Sequence, residues 1–312
     1  MEFEHVSVML AECMEALMPE RGGVFVDCTA GGGGHSSEIA RRLPAGGRLI
    51  SLDRDDDAIA ACRERLEPYG DRCVIVKSEF SKIASVLDEL GIEQIDGVMW
   101  DLGVSSHQLD DASRGFSYMS DAPLDMRMDA SAPLCAAHVV NRYPEASLAR
   151  IISDYGEERF AGRIAANIVR AREVSPIETT FQLVDIIKSS IPAASRKKEA
   201  QHPAKRTFQA IRIEVNSELS VIAPSIRDAV ARLKPGGRAA VITFHSGEDR
   251  IVKQTFARLE SPCECPRDLP VCVCGKRPSI KLVNRKPLLP SDVETAKNPR
   301  SRSAKLRVAE KI

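Results

Sequence analysis

Asp27, Asp53 and Asp101 each close a short apolar run, and four consecutive glycines, Gly31 to Gly34, follow shortly after the first of them. In Val24-Phe-Val-Asp-Cys-Thr-Ala-Gly-Gly-Gly-Gly-His35 the β-branched and aromatic residues read as a buried strand of a parallel sheet. Ser36, Ser37 and Glu38 then open an amphipathic helical pattern through Ile39, Ala40 and Leu43. A strand that turns through glycines into a helix offers bare backbone and helix-terminal amides to a ligand, the build of a nucleotide-type pocket. Gly31 and Gly33 fit the first two places of a dinucleotide fingerprint, but Ser36 stands where a third Gly or Ala belongs. An acid at position 27 would repel a pyrophosphate and suits a ligand carrying an amine and a sulfonium. Asp53 closes the second run, Arg48-Leu-Ile-Ser-Leu52, about where a ribose-binding carboxylate should sit. Two acids flanking a glycine loop favour S-adenosyl-L-methionine over NAD.

The elements that must position these acids alternate. Val8–Leu17 and Asp55–Leu66 read as helices, Cys73–Val76 as a strand, Ser81–Leu90 as a helix capped by Ser81, and Ile95–Asp101 as a fourth strand. The rhythm returns with a helix at Ser225–Leu233, stopped by Lys234-Pro-Gly-Gly237, and an apolar strand at Arg238–Phe244 ending at His245. Ile280–Val283 and Lys305–Val308 are expected as closing edge strands. This alternation predicts an α/β, doubly wound parallel sheet. Between about residues 108 and 213 no convincing strands occur. Phe160, Ile164 and Ile168 share one helical face, as do Phe181, Val184 and Ile187, and then Phe208, Ile211, Val215, Leu219 and Ile222. The expected organisation is a sheet domain from 1–109 plus 214–312, with an all-helical insert at 110–213.

The entry to that insert is dense in functional residue types: Asp101-Leu-Gly-Val-Ser-Ser-His-Gln-Leu-Asp110, Arg114-Gly-Phe-Ser-Tyr118 and Asp121-Ala-Pro-Leu-Asp-Met-Arg-Met-Asp129. Ligands of such sheets bind outside the carboxyl ends of the strands. Together with His5-Val-Ser-Val-Met-Leu10, His202-Pro-Ala-Lys-Arg-Thr-Phe-Gln-Ala210 and Thr243-Phe-His-Ser-Gly-Glu-Asp-Arg250, these runs resemble the MraW-type 16S ribosomal RNA methyltransferase family over nearly the whole chain. The resemblance implies a class I methyltransferase (Rossmann-like) fold with the helical insert as substrate-recognition domain. It also implies transfer of a methyl group from S-adenosyl-L-methionine to the N4 amine of a cytosine in the decoding region of 16S rRNA. The cofactor contacts it implies are Gly33, Gly34, His35, Asp53, Phe80, Asp101 and Gln108, beside Asp27 and Gly31 of the loop. One departure is visible: Gly247 stands where the family usually has leucine, which loosens the packing next to His245.

Amine methylation needs positioning more than covalent help. The amine lone pair is delocalised into the ring, so a site must accept an N–H hydrogen bond and favour a pyramidal nitrogen. The Asp/Asn/Ser-Pro-Pro-Tyr/Phe motif of amino methyltransferases of DNA is absent after the fourth strand. Asp101 either serves the amine or contacts the cofactor, and in the second case Ser105, Ser106, Asp125 or His245 holds the base. Each serine is equally an ordinary helix cap, and His245 an ordinary packed residue.

Composition fits a soluble cytoplasmic enzyme: 43% hydrophobic and 28% charged residues, no apolar run long enough to span a membrane, and no secretory signal at the start. Zero net charge hides an asymmetry: residues 1–195 hold 19 Lys+Arg against 32 Asp+Glu, and 196–312 hold 25 against 12. Arg196-Lys-Lys198, Lys205-Arg206 and a C-terminal set of Arg300, Arg302, Lys305 and Arg307 make the second part a candidate phosphate-gripping face. The expected partner is 16S rRNA in the small subunit or an assembly intermediate, with homodimerisation left open. Nine cysteines do not form a secreted disulfide framework. No metal is assigned, since methyl transfer needs none. Cys263, Cys265, Cys272 and Cys274 form a tetrahedral zinc candidate, although Cys-x-Cys is tighter than the usual knuckle. An NAD-dependent oxidoreductase and a non-enzymatic RNA-binding assembly factor are the competing readings.

Overall fold

A computed structural model of the chain describes residues 7–196, 201–266, 271 and 273–312; His5, Lys197, Lys198 and Cys272 lie outside these. The chain divides into two compact units, Met1–Gly103 with Leu219–Ile312, and Val104–Glu218. The first unit begins with α1 (Leu10–Leu17), β1 (Val24–Asp27), α2 (Gly34–Arg42), β2 (Arg48–Asp53), α3 (Asp56–Leu66), β3 (Cys73–Lys77), α4 (Ile83–Glu89) and β4 (Ile95–Asp101). The second unit is helical: α5 (Ser106–Asp110), α6 (Ala136–Arg142), α7 (Glu145–Asp154), α8 (Ala161–Val174), α9 (Thr180–Ser190), α10 (Ala193–Arg196) and α11 (Lys205–Asn216). The chain then returns to the first unit through α12 (Ile222–Arg232), β5 (Leu233–Thr243), α13 (Ser246–Glu260), β6 (Ile280–Leu282), α14 (Asp292–Lys297) and β7 (Lys305–Lys311).

The seven strands form one sheet in the order β3-β2-β1-β4-β5-β7-β6. β1 to β5 pair in parallel, and β7 runs antiparallel to both β5 and β6. This is the class I methyltransferase arrangement. The apolar runs are nearly continuous because both sheet faces are buried. Val26, Ile50, Leu52, Val98, Trp100 and Val241 pack on one face, while Phe25, Leu49, Met99, Ala240 and Ile242 pack on the other. The helical unit has its own core, in which Leu148, Ile151, Ile164, Ile168, Leu183 and Ile211 are fully buried.

Several expectations change. Lys305–Lys311 is no edge strand; it lies between β5 and β6, and only β6 closes that side. Arg307 is consequently buried, with its guanidinium on Asp249 at 2.7 Å, so it is not an exposed phosphate-gripping cation. The helix expected from Phe208 to Ile222 breaks after Asn216, where Ser217 takes a left-handed conformation (φ 53). Ser81 caps nothing: a 3-10 turn at Phe80–Lys82 precedes α4, whose N-cap is Lys82.

Candidate active site

The carboxyl ends of β1, β2 and β4 bring Asp27, Asp53 and Asp101 around one glycine loop. Asp27 is fully buried; it accepts a hydrogen bond from Ser36 Oγ at 2.7 Å and one from the Thr29 N–H at 3.1 Å. Ser36 Oγ also lies 2.8 Å from Ser51 Oγ on β2. Burial pushes the Asp27 carboxyl up to about 6, with the Ser36 and Thr29 bonds pulling against that rise. Asp27 thus ties the end of β1 to the first turn of α2. Gly33 caps α2 in a left-handed conformation (φ 76), with no side-chain cap on the helix amides. A Cβ on Gly34 would lie 1.8 Å from Ser7 Oγ, so the chain packs against bare backbone there.

Asp53 is half-buried and spans the loop from the other side. Its Oδ2 accepts the Gly31 N–H at 2.9 Å and its Oδ1 the Asp55 N–H at 3.0 Å. Burial raises its carboxyl above the ordinary value, and these two backbone bonds oppose the rise. Each oxygen keeps a second lone pair for a hydroxyl. Replacing Asp53 with alanine is expected to weaken cofactor binding by about 1.5–3 kcal/mol, the worth of a hydrogen bond to a charged group. Calorimetric titration of the folded variant checks this; unchanged affinity would refute the ribose assignment.

At the end of β4 the Asp101 N–H donates to Thr29 Oγ1 at 2.6 Å, which fastens β4 to the loop. The buried Oδ1 of Asp101 has no hydrogen-bond partner among the described residues, and Oδ2 lies 3.8 Å from His35 Nδ1. His35 is fixed at its far end, where Nε2 lies 3.0 Å from the Val8 carbonyl. Burial, followed by the charges of Asp27 and Glu248, holds the Asp101 carboxyl well above the ordinary range. His245 follows β5, the strand that pairs with β4. Its Nε2 lies 3.1 Å from Glu248 Oε1, yet among the described residues neither ring nitrogen has a hydrogen-bond partner of good geometry. Glu248 is buried and its Oε2 accepts the N–H groups of Phe244 and His245 at 2.8 and 3.2 Å, fixing the start of α13. A Cβ on Gly247 would sit 3.1 Å from His245 Nδ1, so a larger residue would press on the imidazole and glycine leaves that side open.

Phe80 stands just past β3, held by a chain in which Trp100 Nε1 donates to Ser225 Oγ at 3.0 Å and Ser225 Oγ donates to the Phe80 carbonyl at 3.0 Å. The remaining expected residues belong to the helical unit. Ser105 caps α5 through Gln108: the Gln108 N–H donates to Ser105 Oγ and the Ser105 N–H to Gln108 Oε1. Ser106 is the first residue of that helix. Asp125 pairs with Arg127 at 2.6 Å; burial opposes ionisation, but the guanidinium wins and lowers the carboxyl. Thr29, Ser36, Ser51, Ser225 and Glu248 were not anticipated as site residues. Only Glu248 had a local signal, three residues after His245 at a helix start.

Residues 2–312 match the MraW methylase family. The chain belongs to that family. The ribosomal RNA small subunit methyltransferase H of Symbiobacterium thermophilum is 58% identical over 312 residues, covering 100% of this chain and 98% of that protein. The corresponding protein of Clostridioides difficile is 56% identical over 312 residues, with 100% of both chains covered. A solved putative methyltransferase from Streptococcus mutans in complex with SAH aligns at TM-score 0.46 and 11% identity over 99% of this chain and 100% of its own, too distant to carry an argument. The protein is therefore a methyltransferase that uses S-adenosylmethionine. Family membership overturns both the oxidoreductase and the non-enzymatic readings. Among the described residues no helix is long and apolar enough to cross a membrane.

Proposed function

We propose that this methyltransferase acts on the N4 amine of a cytosine in the decoding region of 16S rRNA, in the cytoplasm, within the small subunit or an assembly intermediate. The observation that carries the amine assignment is the buried, unpartnered Oδ1 of Asp101 beside the glycine loop. Ser105 is engaged in a helix cap and Asp125 by Arg127, whereas Asp101 and His245 hold buried polar atoms with no hydrogen-bond partner among the described residues.

The residues present fit the cofactor. The uncapped amides of α2 suit its carboxylate, Asp53 its ribose hydroxyls and Phe80 the edge of its adenine. When bound, the cofactor supplies an electrophilic methyl carbon on a sulfonium. Asp101, as carboxylate, accepts an N–H of the attacking amine, orients its lone pair and takes the proton that the methylated nitrogen releases. A carboxyl held above its ordinary range is the better proton acceptor for that step.

On this reading the helical unit recognises the RNA. Arg163, Asn167, Arg170 and Ser189 line a groove along α8 and α9, a polar and basic surface that suits phosphates. In the first unit Arg300 and Arg302 are exposed. Replacing both with glutamine is expected to flatten the salt dependence of substrate binding, by about 0.7–0.9 in slope per lost phosphate contact. Filter binding across a salt series checks it, with cofactor affinity as the unaffected control. The function itself is tested by offering labelled S-adenosylmethionine and the purified enzyme to small subunits, naked 16S rRNA and large subunits. Label confined to 16S rRNA supports the proposal, and label in the large subunit alone refutes it.

A further inference from the structure

The connection between α13 and β6 leaves the sheet and returns to almost the same place. The Ser279 N–H donates to the Leu259 carbonyl at 3.0 Å, and the Leu282 N–H to Glu260 Oε1 at 3.2 Å. From Glu260 to Ser279 no described residue is buried, and Val271 and Val273 are 70% and 77% exposed. Among the described residues apolar burial therefore holds little of this excursion, and a segment with so little buried needs another fastening.

Three thiols converge inside it. The sulfurs of Cys263, Cys265 and Cys274 all lie within 4.8 Å of one another. Tetrahedral thiolates at a zinc–sulfur distance of about 2.3 Å stand about 3.8 Å apart, so an ion needs only a small inward movement. The sequence spacing alone argues against a knuckle, but the fold brings both arms of the loop together regardless of spacing. The Val273 N–H donates to Cys265 Sγ at 3.4 Å, which ties one arm of the loop to the other at the sulfurs. Gly275 turns the chain just after Cys274 in a left-handed conformation (φ 67). Glu264 and Lys276 pair across the two arms at 2.5 Å, a further tie between them.

We propose that Cys263, Cys265 and Cys274 bind a structural zinc ion that fastens this loop. Binding releases the thiol protons to solvent and changes no oxidation state. The site lies outside the methyl-transfer machinery, so its loss and the loss of activity are separable. Cys272 lies outside the described residues, and nothing here rests on it.

The test uses the full-length protein expressed in zinc-supplemented medium and purified without chelators. Elemental analysis is expected to find about one zinc per chain, and cobalt exchanged into the site is expected to give the intense thiolate charge-transfer and d–d bands of a tetrahedral sulfur site. Cys265→Ser should lose most of the metal and the cobalt bands, keep its cofactor affinity, and be cut by trypsin after Lys276 several-fold faster than the parent. Wild-type protein with less than about a tenth of an equivalent of zinc would overturn the proposal, since structural sites bind far too tightly to be lost in purification. A disulfide between any two of the three cysteines in protein kept from oxidants would also overturn it. So would full metal content in both Cys265→Ser and Cys274→Ser, because the ion would then be held elsewhere.

Discussion

Replacing Asp101 with alanine is expected to lower the turnover number on small-subunit rRNA by on the order of 10²–10³-fold, the cost of removing one preorganised group that acts on the transition state. The variant should fold, because the structure gives the Asp101 carboxylate no hydrogen bond to lose: Oδ1 is unpartnered and Oδ2 stands 3.8 Å from His35. Taking a carboxylate out of a buried site shared with Asp27 and Glu248 also removes repulsion. If Asp101 serves the amine, the cofactor dissociation constant stays within about tenfold while the turnover number collapses. A loss of cofactor affinity with intact turnover would assign Asp101 to the cofactor instead and move the amine to His245. In the wild type, the rate should rise with pH through a value above the ordinary carboxylate range and then level off, because only the carboxylate form accepts the N–H. That rise should vanish in the alanine variant.

Asp27→Asn is expected to stabilise the cofactor-free protein at neutral pH. The folded-state value of Asp27 is about 6 against an ordinary 3.8, so the folded chain binds the proton more tightly than the unfolded chain. Between those values the folded state carries the extra proton, and stability from this group falls as the pH rises. The full penalty stands above about pH 6 and disappears below about pH 4. At 1.36 kcal/mol per pH unit it reaches about 3 kcal/mol. Asparagine keeps both polar contacts, with its carbonyl oxygen facing the Thr29 N–H and its amide facing Ser36 Oγ. Urea unfolding of both proteins between pH 4.5 and 7.5 should show an advantage for Asp27→Asn that shrinks as the pH falls. An advantage for the wild type at neutral pH would mean that the buried carboxylate is better compensated than its hydrogen bonds to Ser36 and Thr29 indicate.

The parts of this fold that were legible in the sequence are those with local causes. Strands buried on both faces show as near-continuous apolar runs, and the acids that end them fall at the carboxyl edge where the loop forms. The unread parts have distant causes. Arg307 looks like a surface cation until Asp249, far away in sequence, is brought beside it. The apolar run Lys305–Val308 is short and interleaved with basic residues, which reads as an edge, and only the antiparallel return of the chain places β7 inside the sheet. The apolar spacing runs unbroken from Phe208 to Ile222, so nothing in the pattern announces the left-handed Ser217 that ends α11. α6 and α7 are short, and Tyr143-Pro144 separates them, too little sequence for a helical period to emerge. Within the site the acids and glycines were visible by type. Thr29, Ser36 and Ser225 were not, because a hydroxyl declares its role only through the partner the fold gives it.

The most direct measurement is nucleoside-resolved mass spectrometry of 16S rRNA from cells lacking this protein, from cells supplied with the wild type, and from cells supplied with Asp101→Ala. The account predicts one decoding-region cytidine that loses an N4 methyl group without the protein, regains it with the wild type and fails to regain it with the variant. An unchanged set of 16S modifications, or a missing methyl that maps to a ring carbon, a ribose or the large-subunit RNA, would contradict it.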